Sequence, residues 1–131
     1  MLHLDLINDI KSISKSIKAN KKTCWGNLSI NHAAIHLLGK NLDKVYWEWL
    51  TMNPAASGLL ETHQDKIDWY CLPMNRSALN LLEKNQDKIS WDELSRNPSA
   101  LYLLEKNQDK ISWSILSRNP AGINLLEKKS R

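Results

Sequence analysis

Trp25, Trp47, Trp69, Trp91 and Trp113 fall 22 residues apart, and Asn31, Asn53, Asn75, Asn97 and Asn119 keep the same step. Self-similarity at such a period marks a chain of stacked supersecondary units, each too small to bury its apolar face alone. Between Glu83–Pro98 and Glu105–Pro120 only Asp92/Ser114 and Glu93/Ile115 differ, so the last two repeats are near copies. Six tryptophans and three tyrosines with no phenylalanine fit one motif copied along the chain.

The unit reads most cleanly from Asn97 to Arg118. Asn97 suits an N-cap, and Pro98 supplies the preset φ favoured at the first helical position. Ala100, Leu103 and Leu104 share one face. Lys106 complements the last turn, and Asn107 is expected to stop the helix in a left-handed conformation. A second short helix starts where Ser90 and Glu93 have capping-box spacing and Ile89 and Leu94 sit as a hydrophobic staple. Trp91 and Leu94 then face one side. The expected fold is all-α: an α-solenoid of short helical hairpins with a 22-residue period over residues 23–131, its last repeat truncated. The five repeat tryptophans, Trp25, Trp47, Trp69, Trp91 and Trp113, are expected to form its structural core. A strand-containing leucine-rich horseshoe is the rival, since Leu116-Ser117-Arg118-Asn119-Pro120 has part of its motif. The alternating leucines of its strand are missing, and Pro98 follows the asparagine directly.

Residues 1–22 read as an amphipathic N-terminal capping helix, with Leu6, Ile10, Ile13 and Ile17 in one stripe and Lys11, Lys15 and Lys18 off it. A membrane-surface or targeting helix is the alternative, against which Asp5 and Asp9 count. At the other end Leu125 and Leu126 begin a hairpin whose second helix does not follow. Lys128, Lys129 and Arg131 would solubilise this edge, or the open C-terminal end would self-associate.

An apolar share of 42% with 24% charged residues is a globular balance. The short apolar runs give no membrane span, and Met1–Ile7 lacks the features of a secretion signal. Cys24 and Cys71 fall at different repeat positions and read as reduced thiols. A cytoplasmic or nuclear location is therefore expected.

Polar residues recurring with the period read as caps, turns and solvated faces, so no catalytic residue, cofactor or metal is expected. His32 and His36 lie one helical turn apart, but two ligands are too few for a metal site. The glycines are isolated and form no phosphate loop. A net charge of +4 permits nucleic-acid contact along Lys44, Lys66, Lys88 and Lys110, although Asp43, Asp65, Asp87 and Asp109 stand beside them.

If constant positions build the scaffold, specificity belongs where repeats disagree. One variable column runs through His36, Gly58, Asn80, Tyr102 and Asn124. The other holds Glu48 with Trp49, Tyr70 with Cys71, Asp92 with Glu93, and Ser114 with Ile115. Trp49, Tyr70 and Tyr102, with His36, Asn80 and Glu48, are the partner-binding candidates, aromatics being the strongest anchors. Drift on an unused surface would produce the same variation. The third repeat departs from the pattern: Pro73 stands where Thr51, Ser95 and Ser117 do, and Arg76 replaces the proline of Pro54, Pro98 and Pro120. A local shift in hairpin angle is expected from Leu72 to Asn75.

The run Leu-Leu-Glu-Lys-Asn-Gln-Asp-Lys-Ile-Ser-Trp followed by Leu-Ser-Arg-Asn-Pro, at 81–98 and 103–120, resembles tandem repeats in proteins of giant DNA viruses of the mimivirus kind. The resemblance spans about residues 23–128 and brings no activity, cofactor or catalytic residue with it. It implies a viral protein in host cytoplasm, with virion or nucleus as further locations. The expected function is a non-enzymatic scaffold for protein–protein interaction. Nucleic-acid binding and a structural virion or spacer role are the alternatives.

Overall fold

The computed structural model describes residues 7–13 and 24–131, Cys24 by its backbone only. Leu6 and Ile17 of the N-terminal stripe lie outside the described residues. Those described are helical, with no strand among them, which removes the leucine-rich horseshoe. After a helical run at 7–13 come α1 (Cys24–Ser29), α2 (Ile35–Gly39), α3 (Trp47–Thr51), α4 (Ser57–Thr62) and α5 (Leu79–Lys84). Then follow α6 (Trp91–Arg96), α7 (Leu101–Lys106), α8 (Trp113–Leu116) and α9 (Ile123–Ser130).

Each unit enters its leading helix through a tight turn. Pro98–Ala100 is a 3₁₀ turn of three residues that runs into the six residues of α7. The turn is opened by Asn97, whose side chain accepts from Ser99 N at 2.9 Å while its carbonyl accepts from Ala100 N at 3.1 Å. Asn107 does not stop α7 in a left-handed conformation: its φ is −130°, and no described non-glycine residue has positive φ. Its side-chain Nδ2 donates instead to Leu103 O at 2.9 Å, occupying a carbonyl the helix end leaves open. Asn41 and Asn85 do the same. His63, at the equivalent site, places Nδ1 2.9 Å from Leu59 O.

The spine is leucine rather than tryptophan. Leu38, Leu60, Leu82 and Leu104 on the leading helices, and Leu50, Leu72, Leu94 and Leu116 after the tryptophans, are 0% exposed. Val45, Ile67, Ile89 and Ile111, with Ala34, Ala56, Ala78 and Ala100, complete the buried columns. Each buried leucine contributes roughly 1.5–3 kcal/mol. Trp25, Trp47, Trp69, Trp91 and Trp113 are half-buried and pack against this core from its edge. The cause is position: Trp47, Trp91 and Trp113 each open a helix, and the leucine three residues on points inward in their place.

Polar bonds tie each repeat to the one before it. Asn53 Nδ2 donates to Ser29 O at 3.0 Å, Asn75 Nδ2 to Thr51 O at 2.8 Å and to Asn53 O at 3.0 Å, Asn97 Nδ2 to Pro73 O at 2.8 Å, and Asn119 Nδ2 to Ser95 O at 3.0 Å. These four asparagines are buried, whereas Asn31, which opens the first leading turn, is exposed and among the described residues makes only the cap bond. A hydroxyl relay runs beside them. Ser29, Thr51 and Ser95 donate to the tryptophan carbonyl four residues back and accept the backbone N–H of Tyr46, Asp68 and Ser112.

The third repeat changes helix type between Leu72 and Asn75. Pro73 would drive its ring into the carbonyl of Trp69 if an α-helix continued from there. The segment is a turn followed by a 3₁₀ helix, Leu72–Met74, in whose first turn proline is tolerated. Asp68 organises it, Oδ1 accepting from Tyr70 N at 3.0 Å and Cys71 N at 3.2 Å.

At the ends, Ile10 and Ile13 line a small cavity with Leu28, Ala33, Ala34 and Leu37 of the first repeat. In α9, Lys129 lies 3.6 Å over the Trp113 ring and Lys128 lies 3.9 Å from Glu105. Gly122 occupies the alanine column, and a Cβ there would fall 2.6 Å from Leu116 Cδ1.

Candidate functional site

The second variable column forms a staircase across the tryptophan helices. At Trp47, Trp69 and Trp91 the residue two places on meets the residue one place after the previous tryptophan. Trp49 lies over Gly26, where a Cβ would stand 3.5 Å from the indole. Cys71 Sγ, with a carboxylate oxygen of Asp68, comes within 4.8 Å of a carboxylate oxygen of Glu48. Tyr70 donates its hydroxyl to Glu93 Oε1 at 3.2 Å, and Arg96 Nη1 lies 3.9 Å from the same oxygen. Glu93 therefore completes only half of the expected capping box: its N–H donates to Ser90 Oγ at 3.4 Å, while its carboxylate turns to the third repeat.

The electrostatics of this step follow from burial and like charge. Cys71 is buried, and desolvation, with Asp68 next, pushes its thiol up to about 11. The Glu93 carboxylate, by its charge and then its hydrogen bond, raises the Tyr70 hydroxyl above its ordinary value. Glu48, Asp68 and Cys71 form a set with metal-ligand spacing that the sequence reading did not anticipate. One Asp68 oxygen already caps the turn, accepting from Tyr70 N and Cys71 N.

Aromatic and apolar side chains surround the staircase on its early steps. Tyr46 and Trp49 have ring centroids 6.5 Å apart, and Tyr46, Trp49, Tyr70 and Met74 are all exposed. On the later steps Arg96, Ile115, Arg118 and Asn119 line a cleft of about 180 Å³.

The other candidates stand apart. Tyr102 is exposed on α7 and is engaged by Lys106 of its own helix, whose ammonium hydrogen-bonds the phenol and lies 4.0 Å from the ring centroid. That bond raises the Lys106 ammonium. His36 and Asn80 are exposed on leading helices, in the column of Tyr102. Thus the structure brings Glu48 and Tyr70 to one face through Cys71 and Glu93, places Trp49 on the step before, and leaves Tyr102, His36 and Asn80 on leading helices. Asp68 and Arg96 were missed because each lies outside the two most variable columns.

The lysine and tryptophan columns meet each other. Lys44, Lys88 and Lys110 lie 5.1, 4.9 and 4.9 Å over the rings of Trp25, Trp69 and Trp91, each in the preceding repeat. Over Trp47 the ring is that of His63, 5.4 Å away.

Comparison with protein-family models, with curated proteins and with solved structures gives no match for this chain. No helix among the described residues is long and apolar enough to cross a membrane.

Proposed function

We propose that the chain is a non-enzymatic α-solenoid scaffold that binds a partner protein on the face made by its tryptophan helices. In this reading the hairpins stack in register, residues 1–22 cap one end, and the protein works in the host cytoplasm of a giant virus. The carrying observation is the contrast between columns. The recurring leucines, asparagines and hydroxyls are consumed by internal packing, whereas Tyr46, Trp49, Tyr70 and Met74 stand exposed on successive repeats. Large exposed aromatics grouped on one face are what a partner-binding surface needs.

One feature weighs against nucleic acid. Lysines and tryptophans, which together would have served phosphates and bases, are in contact with each other, and an indole covered by an ammonium is a poorer stacking platform.

A crosslinking pulldown from the native cell tests the reading. Trp49→Ala and Tyr70→Ala, singly and together, are expected to abolish capture of the bound protein while circular dichroism stays unchanged. Loss of helix in these variants would make the two rings structural and defeat the proposal.

A further inference from the structure

The column five residues after each tryptophan carries Ile30, Met52, Met74, Arg96 and Arg118 in turn, so the same face is apolar on three steps and cationic on two. The change coincides with the cleft of about 180 Å³ that Arg96 and Arg118 flank. Of its lining side chains that of Asn119 is already engaged: it is buried, its Nδ2 donates to Ser95 O and its Oδ1 accepts from Ala121 N. Recognition in the cleft is thus left to two guanidinium groups and the side chain of Ile115. Among the described residues Arg118 has no carboxylate within ion-pair distance, and Arg96 reaches only Glu93, at 3.9 Å with its side chain 59% exposed. Guanidinium forks pair with carboxylates in bidentate fashion, and an aliphatic wall beside them selects what neighbours the charge.

We propose that the cleft between Arg96 and Arg118 receives an acidic side chain of a linear peptide segment in the partner protein, with an adjacent aliphatic residue packed on Ile115. This rests on the scaffold reading and names the chemistry of its partner. A nucleic-acid strand fits less well, because a phosphate path needs a long row of cations and this row gives way to Ile30, Met52 and Met74 after two arginines.

The test is fluorescence anisotropy of the full chain with a fluorescein-labelled hexapeptide alternating glutamate and leucine. A glutamine–leucine hexapeptide and a labelled thymidine decamer are the controls. The expected result is binding roughly tenfold tighter for the glutamate peptide than for either control, weakening with salt, and lost by a similar factor in Arg118→Glu. Arg118 is exposed, so this variant should keep the wild-type circular dichroism, and Arg118→Gln separates loss of attraction from added repulsion. Equal binding of the two peptides, unchanged binding by Arg118→Glu, or tighter binding of the oligonucleotide would overturn the proposal. If the peptide fails while capture still depends on Trp49 and Tyr70, the acidic cleft falls and the scaffold stands. If both fail, both fall.

Discussion

The third and fourth repeats make the same turn by different means. In the fourth, α6 runs uninterrupted from Trp91 to Arg96, and Ser95 closes the relay, donating to Trp91 O at 2.7 Å and accepting from Ser112 N at 3.2 Å. In the third, Pro73 stands at the serine position, the α-helix gives way to a 3₁₀ turn, and Asp68 holds the backbone instead. Yet Leu72 and Leu94 are equally buried, and Asn97 finds the Pro73 carbonyl as Asn119 finds that of Ser95. The leucine columns and the asparagine ladder thus set the spacing of the repeats, and the helix between them is replaceable.

Moving the proline tests this most severely. Ser95→Pro puts a ring against the Trp91 carbonyl inside α6, where no aspartate precedes the tryptophan to organise a turn. We expect a loss of about 3 kcal/mol in urea unfolding. Pro73→Ser, the reverse exchange, is expected to change stability by about 1 kcal/mol or less and to raise the helical signal. Equal and small effects from both would mean that the two repeats do not differ in what they tolerate.

The asparagine ladder sharpens the comparison next. At Asn97 the side chain both accepts as a cap and donates to a buried carbonyl, whereas at Asn31 there is only the cap among the described residues. Aspartate keeps the first role and cannot perform the second. Asn97→Asp should therefore cost about 2–3 kcal/mol, and Asn31→Asp less than about 0.5 kcal/mol, measured as shifts in unfolding free energy. Matching losses at the two sites would reduce the ladder to capping.

Much of this architecture was legible because it recurs. Helical type and the leading turn opened by Asn97 and Pro98 follow from local chemistry that a sequence displays, whereas at Pro73 the change is one of helix type. The tryptophans misled, since their size and period imply a core, whereas they lie at its edge, with lysines over Trp25, Trp69, Trp91 and Trp113 and His63 over Trp47. The ladder itself had an unread signal. Serine, threonine and aspartate also serve as N-caps, so asparagine at five positions out of five implied a use for its amide donor. At Asn107 the side chain, rather than a left-handed backbone, does the capping. At the candidate site, the staircase between neighbouring columns depends on how one repeat is offset against the next, which period alone does not state. Arg96 and Arg118 therefore looked like repeated surface charges until the cleft between them was visible.

The smallest expected effect lies at the junction of the two repeats, where Glu93 of the fourth accepts from Tyr70 of the third. Both Tyr70 and Cys71 hold their protons more tightly in the fold than in the unfolded chain, so folding is favoured while both stay protonated. For Cys71 that contribution is complete below its ordinary value of 9.0 and is lost as pH rises through about 11. The urea midpoint should decline over this window. In a Cys24→Ser background, Cys71 should resist Ellman's reagent at pH 8 until urea exposes it. Glu93→Gln removes the main cause of the Tyr70 shift, so the phenolate absorbance assigned by a Tyr70→Phe difference spectrum should appear nearer the ordinary 10.0. Cys71, raised first by burial, should stay slow to react in the same variant. A thiol freed by Glu93→Gln would show that the fourth repeat's carboxylate, rather than packing within the third, keeps it protonated.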